Sequence, residues 1–366
     1  MNSTLQNFAT TLKNTVKWEI SSKMVHSVES FFTGAISYAK DLNETLNNIR
    51  IVTGQSIGDM ANFTKQANQM ARELSATTQD VAKASLIYYQ QGDSAELAAK
   101  KAATTIKAAN VAFTASAQEM SEMLTAVWNS YQVGEEQLEH TVDIMAALGA
   151  TTASSMEEMA GAMQKVAATA NTVGVSMEQM AAMVATSASV TRQAPQIIGT
   201  AWNTILSRLG GLKLGETLED GTDLNKYSKA LLSIGVNIKD QTGNLRDMGD
   251  VINDIGEKWE QLDRSQKSAL AQTVGGARQY TQILAFFENF DKYQANMQTA
   301  LNSTGELDKQ AKIYAESWEA AAKRQKAALE GVFNEVINDE AIIKITNSLT
   351  GLINVIGDVV KGFGGV

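Results

Sequence analysis

"SSMEEMAGAMQKVAATANTVGVSMEQMAAMVA" occupies residues 154–185 and contains two helix starts in succession. Ser155 is followed three residues later by Glu158, and Ser176 is followed by Gln179 in the same way. This is the spacing of a capping box, in which the serine hydroxyl accepts a hydrogen bond from the third helical amide and the Glu or Gln side chain accepts one from the serine amide. The stretch therefore predicts two consecutive helices, each beginning just after a serine.

The same pattern recurs three more times on the N-terminal side of this stretch. These starts are Ser56/Asp59, Thr77/Asp80 and Ser116/Glu119. The apolar residues that follow the five starts lie 21, 39, 39 and 21 residues apart; they are Met60, Val81, Met120, Met159 and Met180. A 39-residue unit suits two helices and two turns. Residues 54–210 are therefore expected to form either a stacked array of helical hairpins or an irregular helix bundle with coincident spacing.

An apolar stripe follows each of the two quoted helix starts. Its members are Met156, Met159, Met163, Val166 and Ala170 in the first helix, and Met177, Met180, Val184 and Ala188 in the second. Steps of three and four residues place such side chains on one helix face. Because glycine often follows the last helical residue, the helices of this region are expected to end near Gly92, Gly134, Gly149 and Gly174.

Composition favours an all-α fold with long helices. The chain has one proline in 366 residues and 15 methionines. Proline breaks helix interiors and central strands, so its scarcity permits long helices, and runs of residues typical of strands are few. The one short β-hairpin we expect lies near residues 236–247, where Val236 and Ile238 alternate before a turn at Thr242-Gly243.

Charge and cysteine content exclude some classes of site. The net charge is −9, from 31 basic and 40 acidic residues, and there are no cysteines. An acidic chain is not expected to carry a specific nucleic-acid site or to bind an anionic membrane. Without cysteine, disulfides and thiolate metal sites are excluded.

The two ends of the chain lack a clear targeting or membrane segment. Residues 1–12 have neither the basic nor the apolar region of a signal peptide. Residues 341–366 are the most apolar stretch, but polar residues such as Lys344, Asn354 and Asp358 interrupt it. We expect an amphipathic helix there; the alternative is the foot of a longer apolar segment. Any membrane contact is therefore expected only through segments beyond Val366.

Helix-breaking segments divide the chain into four regions. These are a long N-terminal helix at 1–53, the capped helical-hairpin units at 54–210, a linker with a short helix at 224–234 and the hairpin at 211–248, and a C-terminal helical region at 249–366. Pro195 is expected in the first turn of a helix, where its missing amide is harmless. Further helices are expected at 249–262, 265–274 and 277–302.

Residues 306–337 carry a heptad seam. Its members follow one another in alternating steps of four and three residues: Leu307, Ala311, Tyr314, Trp318, Ala321, Gln325, Ala328 and Val332. Heptad seams pair helices with one another. The seam is expected to pack on another helix of the same chain or on a sister subunit.

Three motifs resemble chemical sites, and each has a simpler explanation. "GQSIG" at 54–58 matches the G-x-S-x-G nucleophile elbow, and Ile49, Ile51 and Val52 precede it like a strand. An elbow also needs a hydrolase sheet behind it and an acid and a histidine downstream. Only His140 lies downstream and strand-like runs are few, so Ser56 is interpreted as a helix-start serine. Glu136, Glu139, His140 and Asp143 are close in sequence and could hold a metal, but a solvated acidic face is favoured. Gly275-Gly276 could expose amides to an anion, although a tight turn explains it equally. No catalytic, cofactor-binding or metal-binding residue is therefore predicted, and no cofactor is expected.

In their order along the chain, several segments resemble the core region of phage tail tape measure proteins, of the type found in long-tailed phages and prophages of Gram-positive bacteria. These segments are "LNETLNNIRIVTG" at 42–54, the capped units at 154–185, "GTAWNTILSRL" at 199–209, "LLSIGVNIKDQTGNLRDMGDVINDIGEKW" at 231–259 and "TVGGARQYTQILAFFENFDKY" at 273–293. Together they span roughly residues 40–340.

The resemblance implies a non-enzymatic role in virion assembly. Such proteins look like rulers that lie in the lumen of the growing tail tube, set its length and leave before DNA ejection. The implied partners are the tail tube protein, tail tip or baseplate proteins, tail assembly chaperones and further copies of the same chain. The implied location is the virion tail lumen, with the host cytoplasm during assembly. The alternative is a helical interaction protein or secreted bundle unrelated to tails.

Overall fold

A computed structural model describes residues 22–112, 114–152, 154–210 and 225–336. Most of them are α-helical, which confirms the all-α prediction. The first helices are α1 (Ser22–Thr53), α2 (Ile57–Glu73), α3 (Thr78–Gln90), α4 (Ala95–Val111), α5 (Ala117–Tyr131), α6 (Leu138–Thr151), α7 (Met156–Thr172) and α8 (Met177–Thr191), with a 3-10 helix at Glu135–Gln137 before α6.

The remaining helices continue this architecture towards the C-terminal side. They are α9 (Pro195–Gly210), α10 (Asn225–Ser233), α11 (Met248–Trp259), α12 (Arg264–Phe287), α13 (Phe290–Leu301), α14 (Glu306–Ala315) and α15 (Trp318–Val336). Pro195 begins α9, as predicted. The start of the predicted N-terminal helix, most of the predicted linker and the amphipathic segment 341–366 lie outside the described residues.

All five predicted capping boxes are present at the predicted residues. At the start of α7, the Ser155 amide donates to Glu158 Oε2 at 2.9 Å and the Glu158 amide donates to Ser155 Oγ at 3.2 Å. A further box, formed by Asp263 and Gln266, begins α12. Its first residue is aspartate, whereas the five predicted boxes begin with serine or threonine.

Replacing Ser155 or Ser176 by alanine is expected to lower the free energy of unfolding by about 1 kcal/mol in each case, because a helix-start amide loses its acceptor. Ser207→Ala is the matched control, since Ser207 is exposed and lies inside α9, away from any helix start. That variant should stay within about 0.5 kcal/mol of the wild type. Urea unfolding followed by circular dichroism measures all three, and unchanged stability of both cap variants would contradict the helix-start interpretation.

The predicted helix ends are only partly correct. Gly92 and Gly174 follow α3 and α7 with positive φ angles of 85° and 71°, as expected for glycines that terminate helices. Gly134 does not terminate α5, because Gln132 takes the left-handed conformation there at φ 51°. A single left-handed residue is enough to end a helix, although a residue other than glycine rarely adopts that conformation.

Gly149 lies inside α6 and not at its end, so that predicted boundary is wrong. A Cβ atom on Gly149 would stand 3.1 Å from the backbone nitrogen of Met156, the first residue of α7. This position therefore requires a small residue because α7 begins very close to α6. The glycine marks a close approach of two backbones, and its φ angle is not positive.

Burial follows the predicted stripes in α7 but not in α8. All five stripe residues of α7 are buried. In α8, residues 180–187 are buried without interruption, and residues 141–148 of α6 are buried in the same way. A helix surrounded on all sides shows no apolar stripe, so α6 and α8 could not be recognised as central helices from periodicity.

The predicted β-hairpin is reduced to one bridge. Lys239 and Leu245 form an isolated antiparallel bridge, and no longer strand occurs among the described residues. Asp240 closes the turn, because its Oδ1 accepts from the amides of Thr242 and Asn244 at 2.8 and 2.9 Å. The first residue of α11, Met248, follows three residues after the bridge, which leaves no length for a second strand.

The chain divides into two compact units. Among the described residues, those up to Ile106 and those from Ala315 onwards form unit 1, and those from Lys107 to Tyr314 form unit 2. Within unit 1, α3 packs against α1 and α2, and α15 packs against α2. Within unit 2, α7 packs between α5 and α9, while α13 packs on α8 and α6.

The core of unit 2 contains a group of aromatic rings. Trp202 of α9 meets Phe286 edge-on with ring centroids 4.8 Å apart, and Trp259 of α11 stacks on Phe287 at 4.9 Å. Tyr293 of α13 joins them at 5.3 Å from Phe286. Burial raises the pKa of Tyr293, and Asp250 adds to that effect. These rings join helices that are far apart in sequence.

The break predicted between residues 274 and 277 is present as a kink. The helix predicted at 277–302 is instead two helices, separated near residue 289. α12 is kinked at Gly276, whose φ of 63° and ψ of −176° are not helical. Only glycine adopts this combination readily. The second predicted helix stops at Phe287, and α13 begins three residues later at Phe290. Asn289, between them, has a non-helical φ of −124°.

The predicted heptad seam does not form one packed face inside the chain. The helix is interrupted at Glu316 and Ser317, where Ser317 Oγ accepts from the Ala320 amide at 3.1 Å and so caps α15. Leu307 is 1% exposed whereas Trp318 is 88% exposed. The expectation that the seam packs on another helix of the same chain is therefore wrong for α15, which buries a different face.

Candidate functional site

Ser56 is a helix-capping serine. Its amide and hydroxyl both donate to Asp59 Oδ2, at 2.8 and 2.7 Å, and its oxygen accepts from the Asp59 amide at 3.2 Å. These hydrogen bonds from Ser56 lower the pKa of Asp59. Residues 49–53, which a nucleophile elbow would need as a strand, belong to α1. The local geometry fits a helix start and lacks the strand that a nucleophilic serine requires.

Asp143 is buried, which the sequence interpretation of a solvated acidic face did not predict. It is 5% exposed. Its Oδ2 accepts from the Gly305 amide and its Oδ1 from the Leu307 amide, both at 2.8 Å. The carboxylate thus holds the start of α14 from a distant helix. A negative charge at this end of a helix also interacts favourably with the helix dipole.

The other members of the predicted acidic group point to different partners. Glu139 accepts a hydrogen bond from Lys107 Nζ at 2.9 Å, and Asp308 accepts another from it at 2.7 Å. Burial by itself lowers the pKa of Lys107, but the hydrogen bonds to Asp308 and Glu139 outweigh that effect, and the pKa is raised. His140 Nε2 lies 3.5 Å from Glu178 Oε1. Glu136 is exposed. In the described part of the chain, no hydrogen bond or ion pair joins the four side chains of the group to one another.

Gly275 and Gly276 lie under an arginine. Arg208 of α9 donates from Nη1 to the Gly275 carbonyl at 2.6 Å. A Cβ atom on Gly276 would stand 2.4 Å from the same nitrogen, a contact that the end of the arginine side chain could move to relieve. The positive φ of 63° is what favours glycine there. The motif explains how α12 bends beneath α9. The sequence left two roles open for this motif, a tight turn and an anion site. The structure supports the tight turn.

A second buried carboxylate, Glu330, was not singled out from the sequence. It is 2% exposed, and its Oε2 accepts from the Thr78 amide, the first of α3, at 2.7 Å. Its Oε1 has no hydrogen-bond partner within the described part of the chain. Burial raises the pKa of Glu330, while the hydrogen bonds from Thr78 oppose that effect. Glu330 and Asp143 share one task, since each holds the start of another helix.

Unit 1 has an open polar cleft between α2 and α15. It measures about 710 Å³ and is lined by Lys65, Asn68, Gln69, Arg72, Glu73, Arg324 and Ala328. Arg324 is held in place, because Nη1 donates to Ser75 Oγ at 2.7 Å and to the Ala315 carbonyl at 2.9 Å. Asn68 donates to Thr78 Oγ1 at 2.9 Å. Asn68 and Arg324 therefore join helices of unit 1 to one another.

The described residues contain neither a metal-binding group nor a membrane span. Across residues 22–336, apart from the undescribed positions, no three His, Cys, Asp or Glu side chains are placed to share a metal ion. Among the described residues, no helix is both long enough and apolar enough to cross a bilayer.

α15 carries a row of exposed side chains, most of them apolar, in the described part of unit 1. Its outer face consists of the exposed residues Trp318, Ala322, Gln325, Leu329 and Val332. The exposed fractions are 88% for Trp318, 50% for Leu329 and 43% for Val332. Isolated exposed apolar residues are common on proteins, but a row along one helix marks an interaction surface.

Comparison with known proteins points in the same direction. Residues 64–276, more than half of the chain, match the family described as phage-related minor tail protein. A curated relative is the probable tape measure protein of Escherichia phage P2, which is 24% identical over 255 residues. The match covers 69% of this chain but 28% of the relative, so the chain spans less than a third of that protein's length. No solved structure matches the chain.

Proposed function

We propose that this chain, which belongs to the phage-related minor tail protein family, is part of a tape measure that sets the length of a phage tail. In this proposal it occupies the lumen of the tail tube before DNA ejection. As a tail protein it is located in the virion, and it is present in the host cytoplasm during assembly. We assign it no catalytic role.

The observation that carries the proposal is the similarity to a probable tape measure protein over 255 residues. The order of motifs along residues 40–340 agrees with it. Helical structure also suits a ruler, because a helix rises 1.5 Å per residue and so converts chain length into distance. The family match favours this role over a helical interaction or secreted protein unrelated to tails.

Within the tape measure, we assign this segment the role of a folded platform. Each of its two units is compact, with helices packed side by side. Helices packed in this way convert little of their length into distance, unlike helices placed end to end. The measuring rod would then belong to parts of a longer protein such as the phage P2 relative, of which the match covers 28%.

The proposed partners are other proteins of the tail. They are the tail tube protein, tail tip or baseplate proteins, tail assembly chaperones and further copies of this chain. The support from the structure is the exposed apolar surface of α15, together with the absence of any grouped metal-binding residues in the described part of the chain. A platform that contacts several partners needs surface and has no need of a reactive centre.

Removing this chain from its parent phage should abolish tails of uniform length, because tube growth would have no ruler. Electron microscopy of lysates would then show either no tails or tubes of widely varying length. A complementing copy of the chain is the control and should restore one length. Uniform tails of normal length in the absence of the chain would contradict the tape-measure proposal.

Deleting residues 95–133 distinguishes a folded platform from an extended measuring rod. This deletion removes α4 and α5, with the buried residues Ile106, Met120 and Leu124. A folded platform should fail, and tails should be absent. If the segment is extended in the tail instead, tails should shorten by at most about 58 Å, which would contradict the platform assignment while supporting the ruler.

A further inference from the structure

The cleft between α2 and α15 of unit 1 carries an excess of positive charge. Its lining includes three cationic side chains, Lys65 and Arg72 of α2 and Arg324 of α15, against one carboxylate, Glu73. Lys65 and Arg72 are both exposed, and their spacing of seven residues places them on one face of α2. The chain as a whole has a net charge of −9. The α2–α15 cleft is therefore a local exception to the overall charge balance.

The three cations of the cleft have no carboxylate partner in the described part of the chain. Cations elsewhere are paired, as Lys101 is with Asp93 at 2.7 Å. The one carboxylate of the lining is engaged differently, because Glu73 Oε1 accepts from Gln69 Nε2 at 2.9 Å. The positive charges of the α2–α15 cleft are thus available to a ligand.

Arg324 is fixed in the cleft at one end of its guanidinium group. Its Nη1 donates to Ser75 Oγ at 2.7 Å and to the Ala315 carbonyl at 2.9 Å. Ser75 is only 2% exposed, so this anchor belongs to the core of unit 1. A guanidinium has five N–H donors in a planar fork, and those on Nε and Nη2 remain for a ligand. An arginine held in this way loses little further freedom when it binds.

The two walls of the cleft are tied together at its base. Asn68, which is 8% exposed, donates from Nδ2 to the Ala327 carbonyl at 2.8 Å and to Thr78 Oγ1 at 2.9 Å. The cleft is therefore formed before any ligand arrives. Its volume of about 710 Å³ falls within the range of roughly 300–1,000 Å³ that is common for binding sites.

We propose that the α2–α15 cleft binds an acidic peptide segment of a partner protein through the side-chain carboxylates of that segment. The fork of Arg324 matches the two oxygens of a carboxylate. Lys65 and Arg72 lie about 10 Å apart along the axis of α2, a distance that an extended peptide covers in about three residues. Acidic residues at that spacing can contact both cations. The inference rests on unit 1 alone and stands whether or not the chain sets tail length.

A peptide fits the cleft better than a nucleic acid does. Proteins bind single-stranded nucleic acids with aromatic side chains that stack on the bases, and no aromatic side chain is among the described residues that line the cleft. Glu73 would repel a phosphate backbone, which carries a charge at every nucleotide. A peptide avoids this repulsion, because it can place a neutral residue beside Glu73.

Fluorescence anisotropy with the full 366-residue chain tests the proposal. The probe is a fluorescein-labelled hexaglutamate peptide with an amidated C-terminus, and a hexaglutamine peptide with the same label is its control. At low salt the hexaglutamate peptide should bind saturably with a Kd on the order of 100 µM or below. The hexaglutamine peptide should not bind saturably, because it has no carboxylates for the three cations.

Substitutions at the cleft show where the peptide binds. Lys65→Gln and Arg72→Gln should each weaken binding by about fivefold, through the loss of one charge-assisted contact. Arg324→Lys keeps the charge but removes the fork, and it should weaken binding by a similar factor. Lys83→Gln is the matched control, since Lys83 is an exposed lysine of unit 1 outside the cleft and its loss should leave the affinity unchanged.

Thermal unfolding of each variant separates loss of binding from loss of the fold. The Lys65 and Arg72 variants should unfold like the wild type, because both side chains are exposed, so they test the cleft even if Arg324→Lys is less stable. No saturable binding of the hexaglutamate peptide up to roughly 1 mM would overturn the proposal. Equal losses for Lys83→Gln and Arg72→Gln would also overturn it, as would tighter binding of an oligodeoxythymidine of the same charge.

Discussion

Replacing Trp202 by alanine is expected to lower the free energy of unfolding by about 4 kcal/mol, in the range of large-to-small substitutions at buried aromatic residues. The indole of Trp202 is fully buried in unit 2. It packs edge-on against Phe286, and its Nε1 donates to Ser187 Oγ at 2.9 Å. The variant would therefore have a cavity between α9, α8 and α12 and a buried hydroxyl that has lost its donor. Urea unfolding monitored by circular dichroism measures the loss.

Two further variants show how much of this stability loss comes from packing, from the hydrogen bond, and from removing a tryptophan as such. Trp202→Phe keeps a ring against Phe286 but removes the donor to Ser187, so we expect a loss of about 2 kcal/mol. Trp318→Ala removes an indole that is 88% exposed, and at low protein concentration it should change stability by less than about 0.5 kcal/mol. If Trp202→Ala cost no more than Trp318→Ala, the packing of α9 in unit 2 would be wrong.

The helix starts could be predicted because their determinants are local. A capping box needs only a hydroxyl and an acidic or amide side chain three residues later, so Ser155 and Glu158 carry the whole signal. The stripe of α7 is equally local, since its period reports one buried face. Burial on all sides, as in α8, leaves no period to detect. The sequence therefore indicated where α8 begins but not that it lies at the centre of unit 2.

The heptad seam shows the limit of a local pattern. In α15 its spacing coincides with part of an exposed face, since Trp318 and Val332 lie along it. It does not indicate which partner covers that face. In α15 the tertiary contacts use Ala320, Ala327 and Phe333, while Trp318 and Val332 of the seam stay exposed. The alternative left open from the sequence, pairing with a sister subunit, stays a prediction.

The acidic group at Glu136, Glu139, His140 and Asp143 was recognised, but its role could not be derived. Sequence proximity predicts that the side chains share a region of one helix, and nothing more. Asp143 meets amides that lie 162 and 164 residues further along the chain. Only the packed fold brings them together. The same holds for Glu330, whose partner amide at Thr78 is 252 residues away.

Replacing Asp143 by alanine is expected to lower the free energy of unfolding by about 3 kcal/mol. The carboxylate is buried and accepts two hydrogen bonds of 2.8 Å, from Gly305 and Leu307. Hydrogen bonds to a charged group contribute roughly 1.5–3 kcal/mol each, and an amide left buried without a partner adds a further cost. Urea unfolding gives the size of the loss, and hydrogen exchange at residues 305–307 shows where protection disappears.

Asp143→Asn and Glu139→Ala make the cause of that loss identifiable. Asparagine keeps one carbonyl oxygen as acceptor but loses the charge, so about half of the effect should remain. Glu139 lies one turn earlier on α6, and its side chain is 51% exposed in an ion pair with Lys107. Surface ion pairs contribute little, so Glu139→Ala should cost less than about 1 kcal/mol. Equal losses for Asp143→Ala and Glu139→Ala, or unchanged exchange at residues 305–307, would mean that Asp143 does not hold the start of α14.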